Sequence, residues 1–382
     1  MKNINKNTAT IAILTYGKNR PQGNFSKGYI EDLAFNKIVL YGGLIPFLTL
    51  GTPIWKQKLI RYLIALISLN NKEKIEKLQE KRLKYLLKKY NVNCGLAEFL
   101  NTGASVAPVF KKLNIPIISN VLGYEINDSR FYKLFYKKYK DLAKYQSFTL
   151  PVAKDMIPKL IELGFNDSSI IYSPIGPSDD FFELKPNYKS EYFVFIGRFT
   201  ETKNPFNLIK AFSKVVEKYS EAKLIMAGDG ELKLEVIELI KSLNLFDNII
   251  LPGWISKDEQ KRFYEQSFCY VQHSMVSSTG DREGTPVSIL EASAAGLPII
   301  STLHAGIPDV IIQNKTGFLV KENDVDMMAN FMLQLYENRE LAKKMGQFGK
   351  EIVNENFSLQ IHLNIVENVI NSAISINPHN AF

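Results

Sequence analysis

Apolar residues along this chain fall into short, nearly continuous runs, most of which end in a glycine turn and lead into a helical pattern. Between residues 192 and 303 the segments YFVFIGRF, AKLIMAGDG, NIILPGWI, CYVQHSM and LPIISTL read as five strands buried on both faces. Helical patterns at 205–219 and 232–243, and one opened by Pro286, separate them. Such alternation predicts a parallel sheet with helices on both faces. The first half follows the same scheme less regularly. Residues 9–15, CGLAEF, IPIISNVLGYE, SFTLPVAKDM and IIYSPIG read as strands with their loops, and 29–35 as a helix after a turn-rich loop. A long basic helix is expected over 72–90, with Ile75, Leu78, Leu86 and Leu87 as its buried stripe. Residues 177–190, with Pro186, read as a linker. The pattern therefore predicts an α/β chain of two domains, 1–180 and 181–355, with a cleft between them.

A length of 382 residues agrees, because it exceeds what one core usually holds. The most membrane-like stretch, 59–69, is too short to span a bilayer and contains Arg61. The start MKNINKNTATIAIL lacks the small-residue cleavage site of a secretory signal. Two distant cysteines, Cys94 and Cys269, give neither a disulfide framework nor metal spacing. A cytoplasmic protein, soluble or peripheral on the inner face of the membrane, is expected.

The net charge of +8 is unevenly placed. Residues 1–180 carry 27 Lys and Arg against 14 Asp and Glu, whereas residues 181–382 carry 20 against 25. The basic first half points to an anionic partner such as a membrane surface or lipid diphosphate, or to lysine-rich solvated helices. Nucleic acid has only this charge in its favour and is not expected as a partner. Residues 130–144 interleave Lys with Phe131, Tyr132, Phe135, Tyr136 and Tyr139. They suit either a lipid interface or packing on the core.

Candidate chemistry gathers in 281–308, DREGTPVSILEASAAGLPIISTLHAGIP. If Pro286 opens the helix, Glu283 and Glu291 fall about 80° apart around its axis and face one cleft. The amides of Gly284 and Thr285 precede the helix start, where an anion is favoured. Glu291 in a surface ion pair is the plainer alternative. Arg198, after Gly197, and Lys203 suit a diphosphate, the first bidentately and the second as a point charge. Gly228 begins a turn that allows close backbone approach. In the segment PGWIS, Trp254 either borders a base or belongs to the core.

Taken together, Gly197-Arg198 with Lys203, the AGDG turn, PGWIS and HSMVSSTGDREGTPVSILEASAAGLPIISTLHAGIPDVI resemble the retaining glycosyltransferases of family 4. The branch that builds bacterial exopolysaccharide and lipopolysaccharide is the nearest. The resemblance implies a GT-B fold: two Rossmann-like domains facing across a cleft, with 356–382 crossing back to brace the first. It matches Arg198 and Lys203 to the pair holding the donor diphosphate, Glu283 to the glutamate near the donor sugar, and Glu291 to the ribose ligand. Gly284 and Thr285 match the amide-donating turn, and Gly197, Gly228 and Ile255 complete the donor side. Glu283, Arg198 and Lys203 would carry catalysis. No metal or cofactor is implied, since the nucleotide-diphosphate sugar is itself a substrate.

The first half is less exact. GLAEFLNTGASVAPVFKKLNIPII resembles the acceptor-side segment, and NFSKGYI the acceptor loop, which marks Gly17, Ser26, Gly28, Glu98, Tyr124 and Glu125 on that side, with Glu125 equally readable as a structural hydrogen-bonder. The usual His-Gly-Tyr-Asp turn reads Leu122-Gly123-Tyr124-Glu125, and all four histidines lie in the second half, so no substitute for the missing one is expected nearby. The implied function is sugar transfer from a nucleotide sugar to a glycan or lipid-linked acceptor in surface-polysaccharide synthesis. A non-catalytic nucleotide-sugar-binding protein, suggested by Leu122, and a sugar-nucleotide epimerase are the alternatives.

Overall fold

A computed structural model describes residues 9–17, 24–69, 71–145 and 148–376. Two six-stranded sheets organise them. The first comprises β1 (Thr10–Leu14), β2 (Asn36–Tyr41), β3 (Leu48–Thr49), β4 (Val92–Ala97), β5 (Ile117–Val121) and β6 (Phe148–Pro151), in the order β3-β2-β1-β4-β5-β6. Only the β2–β3 pair is antiparallel. The second comprises β7 (Tyr192–Ile196), β8 (Lys223–Ala227), β9 (Ile249–Gly253), β10 (Cys269–Val271), β11 (Ile299–Thr302) and β12 (Gly317–Val320), in the order β12-β11-β10-β7-β8-β9, all parallel. In each sheet the order reverses beside its first strand, between β1 and β4 and between β7 and β10. Such a reversal sends neighbouring connections to opposite faces and opens a crevice at the strand C-termini.

Side-chain alternation explains the near-continuous apolar runs. Ala12 and Leu14 of β1 pack under the helices Lys72–Lys89, Leu100–Leu113 and Ser129–Ala143, whereas Ile11 and Ile13 point to the opposite face. In the second sheet Phe193 and Phe195 meet the helix Pro205–Lys218, and Val194 meets Ile289 and Leu290 of the helix Val287–Ala295. The aromatics of 130–144 prove to be core residues: Phe135 and Tyr139 are buried, although Leu134 and Tyr136 remain exposed. The basic helix buries Leu83, Leu86 and Leu87, and leaves Ile75 and Leu78 half-buried.

Two differences from the sequence reading have local causes. IIYSPIG forms no strand: Ile170 makes one isolated parallel bridge to Thr149, and Pro174 lacks the N–H that a longer ladder needs. The apolar stretch 38–69, to which no element was assigned, divides at Gly42, Gly43 and Pro53 into β2, β3 and the helix Ile54–Ser68.

The last helix, Leu359–Ile376, covers the outer face of the first sheet, with Leu363, Val366 and Ile370 packed among Ile11, Ile13, Cys94 and Leu96. Its entry is tight. Leu359 donates its N–H to the Pro177 carbonyl at 3.1 Å, and a Cβ on Gly176 would fall 1.9 Å from the Phe357 carbonyl oxygen. Ile370→Ala is expected to cost roughly 2–5 kcal/mol in urea unfolding, because it empties a fully buried site. A change below about 0.5 kcal/mol, the size of an ordinary surface substitution, would show that this helix does not anchor the first sheet.

Candidate active site

The crevice between β7 and β10 holds most of the residues singled out above. After β7 the chain turns at Gly197, while Gly228 ends β8 at φ +138°. A Cβ on Gly228 would lie 1.9 Å from the Gly197 carbonyl oxygen, so only glycine lets the two strand ends approach. Lys203 folds back over Gly197, its Nζ 2.8 Å from Glu283 Oε1 and 3.4 Å from Gln272 Oε1. Both charged side chains are largely out of water, at 15% and 12% exposure. Arg198 is exposed at the rim and has no ion-pair partner among the described residues.

Polar groups from the end of β10 complete the environment of Glu283. Ser274 Oγ donates to Glu283 Oε1 at 3.3 Å, and Gln272 Nε2 bonds Ser274 Oγ at 2.7 Å. Tyr270, at the base of the crevice, donates to Gln272 Oε1 at 2.9 Å. The backbone N–H of Glu283 donates to His304 Nε2 at 3.1 Å, and His304 Nδ1 lies 2.7 Å from Glu322 Oε1. Glu322 Oε2 in turn accepts the Val276 N–H at 3.0 Å. Accepting at Nε2 and donating from Nδ1 makes His304 the neutral Nδ1–H tautomer, which ties the loop 276–283 to the end of β12.

His304 is a residue of this site that the sequence reading did not single out. The histidine comes from the second lobe and is already engaged. Its position just after β11 was a readable signal, the same strand-end rule that picked out Arg198 and Gly228.

Gly284 and Thr285 precede the helix Val287–Ala295, as expected, but Pro286 is its cap and not its first residue. Glu283 lies outside the helix under either start, so the angular argument from helix periodicity fails. The turn, not the helix, directs Glu283 toward Lys203. That turn is wedged against the first lobe: a Cβ on Gly284 would lie 2.6 Å from Val152 Cγ2 and 2.7 Å from the Leu122 carbonyl oxygen. Thr285 donates its hydroxyl to the Val152 carbonyl at 2.6 Å.

Glu291 is buried, and its Oε2 accepts from Gln260 Nε2 at 2.6 Å. The surface-ion-pair alternative is therefore excluded. Burial pushes its carboxyl up to about 7. With Val287 and Lys257 it lines a cavity of about 230 Å³, whose other wall includes Gly28, Tyr29 and His362. The cavity thus joins residues expected on opposite sides of the cleft. Ile255 is half-buried just after β9, and Trp254 beside it is 71% exposed, so it is not core.

On the first lobe, Gly17 is exposed after β1 and its carbonyl accepts the Gly42 N–H at 2.9 Å. Glu98 follows β4 and donates its N–H to the Leu14 carbonyl at 3.0 Å. Tyr124 accepts from Asn101 Nδ2 at 3.2 Å and sits edge-on to Phe99 and Phe131. The side chain of Ser26 lies outside the described residues. Of its two readings, Glu125 takes the structural one and not the cleft one: fully buried, it accepts the N–H groups of Leu100, Leu122 and Gly123 at 3.4, 3.2 and 2.8 Å. It shapes the Leu122-Gly123 turn from within and does not face the cleft. Burial raises its carboxyl to about 7, against the pull of those amides.

Glu125→Ala leaves three buried amides without their acceptor and is expected to cost roughly 2–4 kcal/mol in denaturant unfolding. A loss under about 0.5 kcal/mol, as at an ordinary surface site, would contradict this role. Glu291 carries a pH signature. Its folded pKa, about 7, lies above the ordinary 4.5, so the unfolded chain ionises first as pH rises. Its contribution to stability is present below about 4.5 and lost by about 7. Relative to wild type, Glu291→Gln should therefore gain stability between pH 5 and 7, by up to about 1.4 kcal/mol per pH unit. Parallel curves for the two proteins would refute it.

Residues 178–352 match the family model described as Glycosyl transferases group 1. The chain is similar to the amylovoran biosynthesis glycosyltransferase AmsK of Erwinia amylovora, 29% identical over 202 residues, 52% of this chain and 50% of that protein. It is also similar to the putative colanic acid biosynthesis glycosyltransferase WcaL of Escherichia coli K12, 26% identical over 244 residues, 63% of this chain and 60% of that protein. The matched chain thus spans between half and three fifths of these relatives' own lengths. Among solved structures, HepE of Anabaena in complex with UDP shares the fold at a TM-score of 0.75 and 13% identity, over 95% of this chain and 100% of that one. With two doubly wound sheets and a group 1 match over residues 178–352, the chain has the GT-B fold and its second half belongs to the group 1 glycosyl transferases, similar to those of bacterial exopolysaccharide synthesis.

Proposed function

We propose that this protein is a retaining glycosyltransferase that moves a sugar from a nucleotide-diphosphate donor to a glycan or lipid-linked acceptor in bacterial surface-polysaccharide synthesis. The observation that carries this reading is the Lys203–Glu283 pair, set in a strand-order crevice beside the Gly284-Thr285 turn and the helix Val287–Ala295. An arriving diphosphate would find Lys203, exposed Arg198 and that helix start, all of which stabilise negative charge. Gly197 and Gly228 keep the floor low enough for close approach. Glu291 would take the ribose hydroxyls, Ile255 would border the base, and Glu283 would face the donor sugar.

Transfer breaks the bond between the sugar C1 and the phosphate oxygen, and the electron pair leaves with the diphosphate. A bond from the acceptor oxygen to C1 forms on the same face. Positive charge on the ring and negative charge on the leaving group both grow at the transition state. On a retaining path the acceptor hydroxyl approaches beside the departing phosphate oxygen, which makes that oxygen the natural destination of its proton. The sealed Glu125 is unsuited to that task.

Residues 1–180 would form the acceptor lobe, with Gly17, Ser26, Gly28, Glu98 and Tyr124 on the acceptor side. Residues 181–355 would form the donor lobe, and 356–382 the return to the first. The basic first half would face the anionic inner surface of the cytoplasmic membrane.

With candidate donors, beginning with the UDP-glucose found in a complex of HepE, Lys203→Ala is expected to lower kcat by about 10²–10³-fold. Nucleotide-sugar binding without transfer or donor hydrolysis would sink the enzyme reading. The replacement of histidine by Leu122 supports a second reading, a non-catalytic nucleotide-sugar binder. It prevails if Leu122→His creates an activity that the parent lacks. Product analysis without acceptor separates an epimerase, which would convert the donor sugar itself.

A further inference from the structure

The helix Ile54–Ser68 lies at the β3 edge of the first sheet and turns a row of large apolar side chains to solvent. Trp55, Leu59, Tyr62, Leu63 and Leu66 are all exposed, Trp55 at 68%. Their spacing places them in one stripe about 100° wide. Ile60 and Ile64, on another side of the helix, pack against Tyr41, Phe47 and Leu48. The helix is therefore anchored by one apolar face and carries a second that has no cover among the described residues. Leu69 ends it in the left-handed conformation at φ 52°, where glycine or asparagine is usual, and is 77% exposed. A contiguous patch of this kind on a soluble protein marks an interaction surface.

Charge selects the occupant. Lys56 and Lys58 are exposed and flank the stripe on its two sides, and the helix contains no Asp or Glu. The helix Lys72–Lys89, packed beside it, presents a further row of exposed lysines. A second copy of this chain, docked about a two-fold axis, would bring like charges together. An anionic bilayer satisfies both features, with apolar side chains in the acyl boundary and lysines against lipid phosphates.

We propose that the helix Ile54–Ser68 lies in the headgroup layer of an anionic membrane and docks the first lobe there. The proposal deepens the membrane part of the reading above and rests on it. At 15 residues the helix is about 22 Å long and lies flat, and no helix among the described residues is long and apolar enough to cross a bilayer. Docking by this edge holds the lobe while leaving the cleft residues free of lipid contacts.

The test is flotation of the full chain with vesicles of phosphatidylcholine alone or mixed with phosphatidylglycerol. Wild type should float with the mixed vesicles and not with the neutral ones. Trp55→Ser combined with Leu59→Ser and Leu66→Ser should weaken binding at least about tenfold. Lys56→Gln with Lys58→Gln should weaken it and flatten its salt dependence. Since apolar-to-serine changes can disturb folding, a second measurement uses Trp254→Phe, which leaves Trp55 as the sole tryptophan: lipids brominated in the acyl chain should quench its fluorescence. Equal flotation of wild type and the triple variant, or no quenching, overturns the proposal. So does a dimer in sedimentation that the triple variant abolishes without any vesicle binding. Sugar transfer to a water-soluble acceptor is scored separately. Flotation without transfer defeats the enzymatic reading and spares the docking helix, whereas transfer without flotation does the reverse.

Discussion

An ion pair that is almost out of water, Lys203 with Glu283, sets the conditions for everything around it. Desolvating two charges costs several kcal/mol for each, and their attraction offsets this only when remaining lone pairs and protons are also satisfied. The crevice meets that demand. Ser274 donates to the carboxylate, Gln272 lies against the ammonium, and Tyr270 fixes the amide of Gln272 from below. His304 and Glu322 hold the backbone that carries Glu283. Glycines at 228 and 284 are then geometric requirements, since a methyl group at either would push a strand end or a turn out of register with the pair. On the proposed reading, a diphosphate entering this site would give Lys203 a new anion in exchange for a carboxylate already positioned. The lysine need not be drawn in from solvent, so little reorganisation accompanies binding.

The two sheets share a topology, yet their outer faces are closed differently. The second sheet is covered by helices of its own half, whereas the first borrows the helix Leu359–Ile376 from the far end of the chain. That loan links the lobes through polar contacts. Tyr29 hydroxyl lies 2.9 Å from both Asn120 Oδ1 and His362 Nε2, and His362 Nδ1 meets Ser173 Oγ at 2.8 Å. Burial lowers the His362 pKa to about 4, so the ring is neutral and serves as one donor and one acceptor. The helix Asn24–Asp32, the end of β5, Ser173 and the last helix thus share one buried chain of hydrogen bonds. Tyr29 and His362 also wall the cavity that Glu291 lines, so a shift of the last helix would reshape that cavity.

The sequence was most legible where one signal sufficed. Buried parallel strands announce themselves as continuous apolar runs, and β7, β8, β9 and β11 fall where those runs lie. Strand-end chemistry followed, because a glycine after such a run marks a crevice: Gly197, Gly228, Lys203 and Glu283 meet as expected. Failures came where two effects compete. IIYSPIG has strand composition but proline on both sides of Gly176, and the missing donors decide. Glu283 and Glu291 have helical spacing, yet the helix starts too late to use it. Glu125 could be read as a cleft residue or as a structural hydrogen-bonder. Three nearby amides needed an acceptor, and a carboxylate two to three residues from Leu122 and Gly123 was the nearest one. The role of His304 was not legible because its partners, Glu283 and Glu322, come from space and not from order along the chain.

Leu122 bears on how labour is divided across the cleft. Its carbonyl stands where a Cβ on Gly284 would collide, and Gly123, at φ +128°, faces the carbonyls of Arg282 and Glu283. The first lobe therefore meets the donor turn with backbone and an apolar side chain. Of the ionisable groups at this contact, Glu125 is sealed behind it and Asp155 pairs with Arg282 at 3.7 Å. A titratable side chain at residue 122 would add a proton donor or acceptor beside the turn. Leucine adds only apolar volume. Water exclusion strengthens the Lys203–Glu283 attraction and any charge a donor brings, because the local dielectric falls. On the proposed reading, the lobe that lacks the histidine would act on charge development mainly through its surroundings, and Lys203 and Glu283 of the opposite lobe would be the charges that respond.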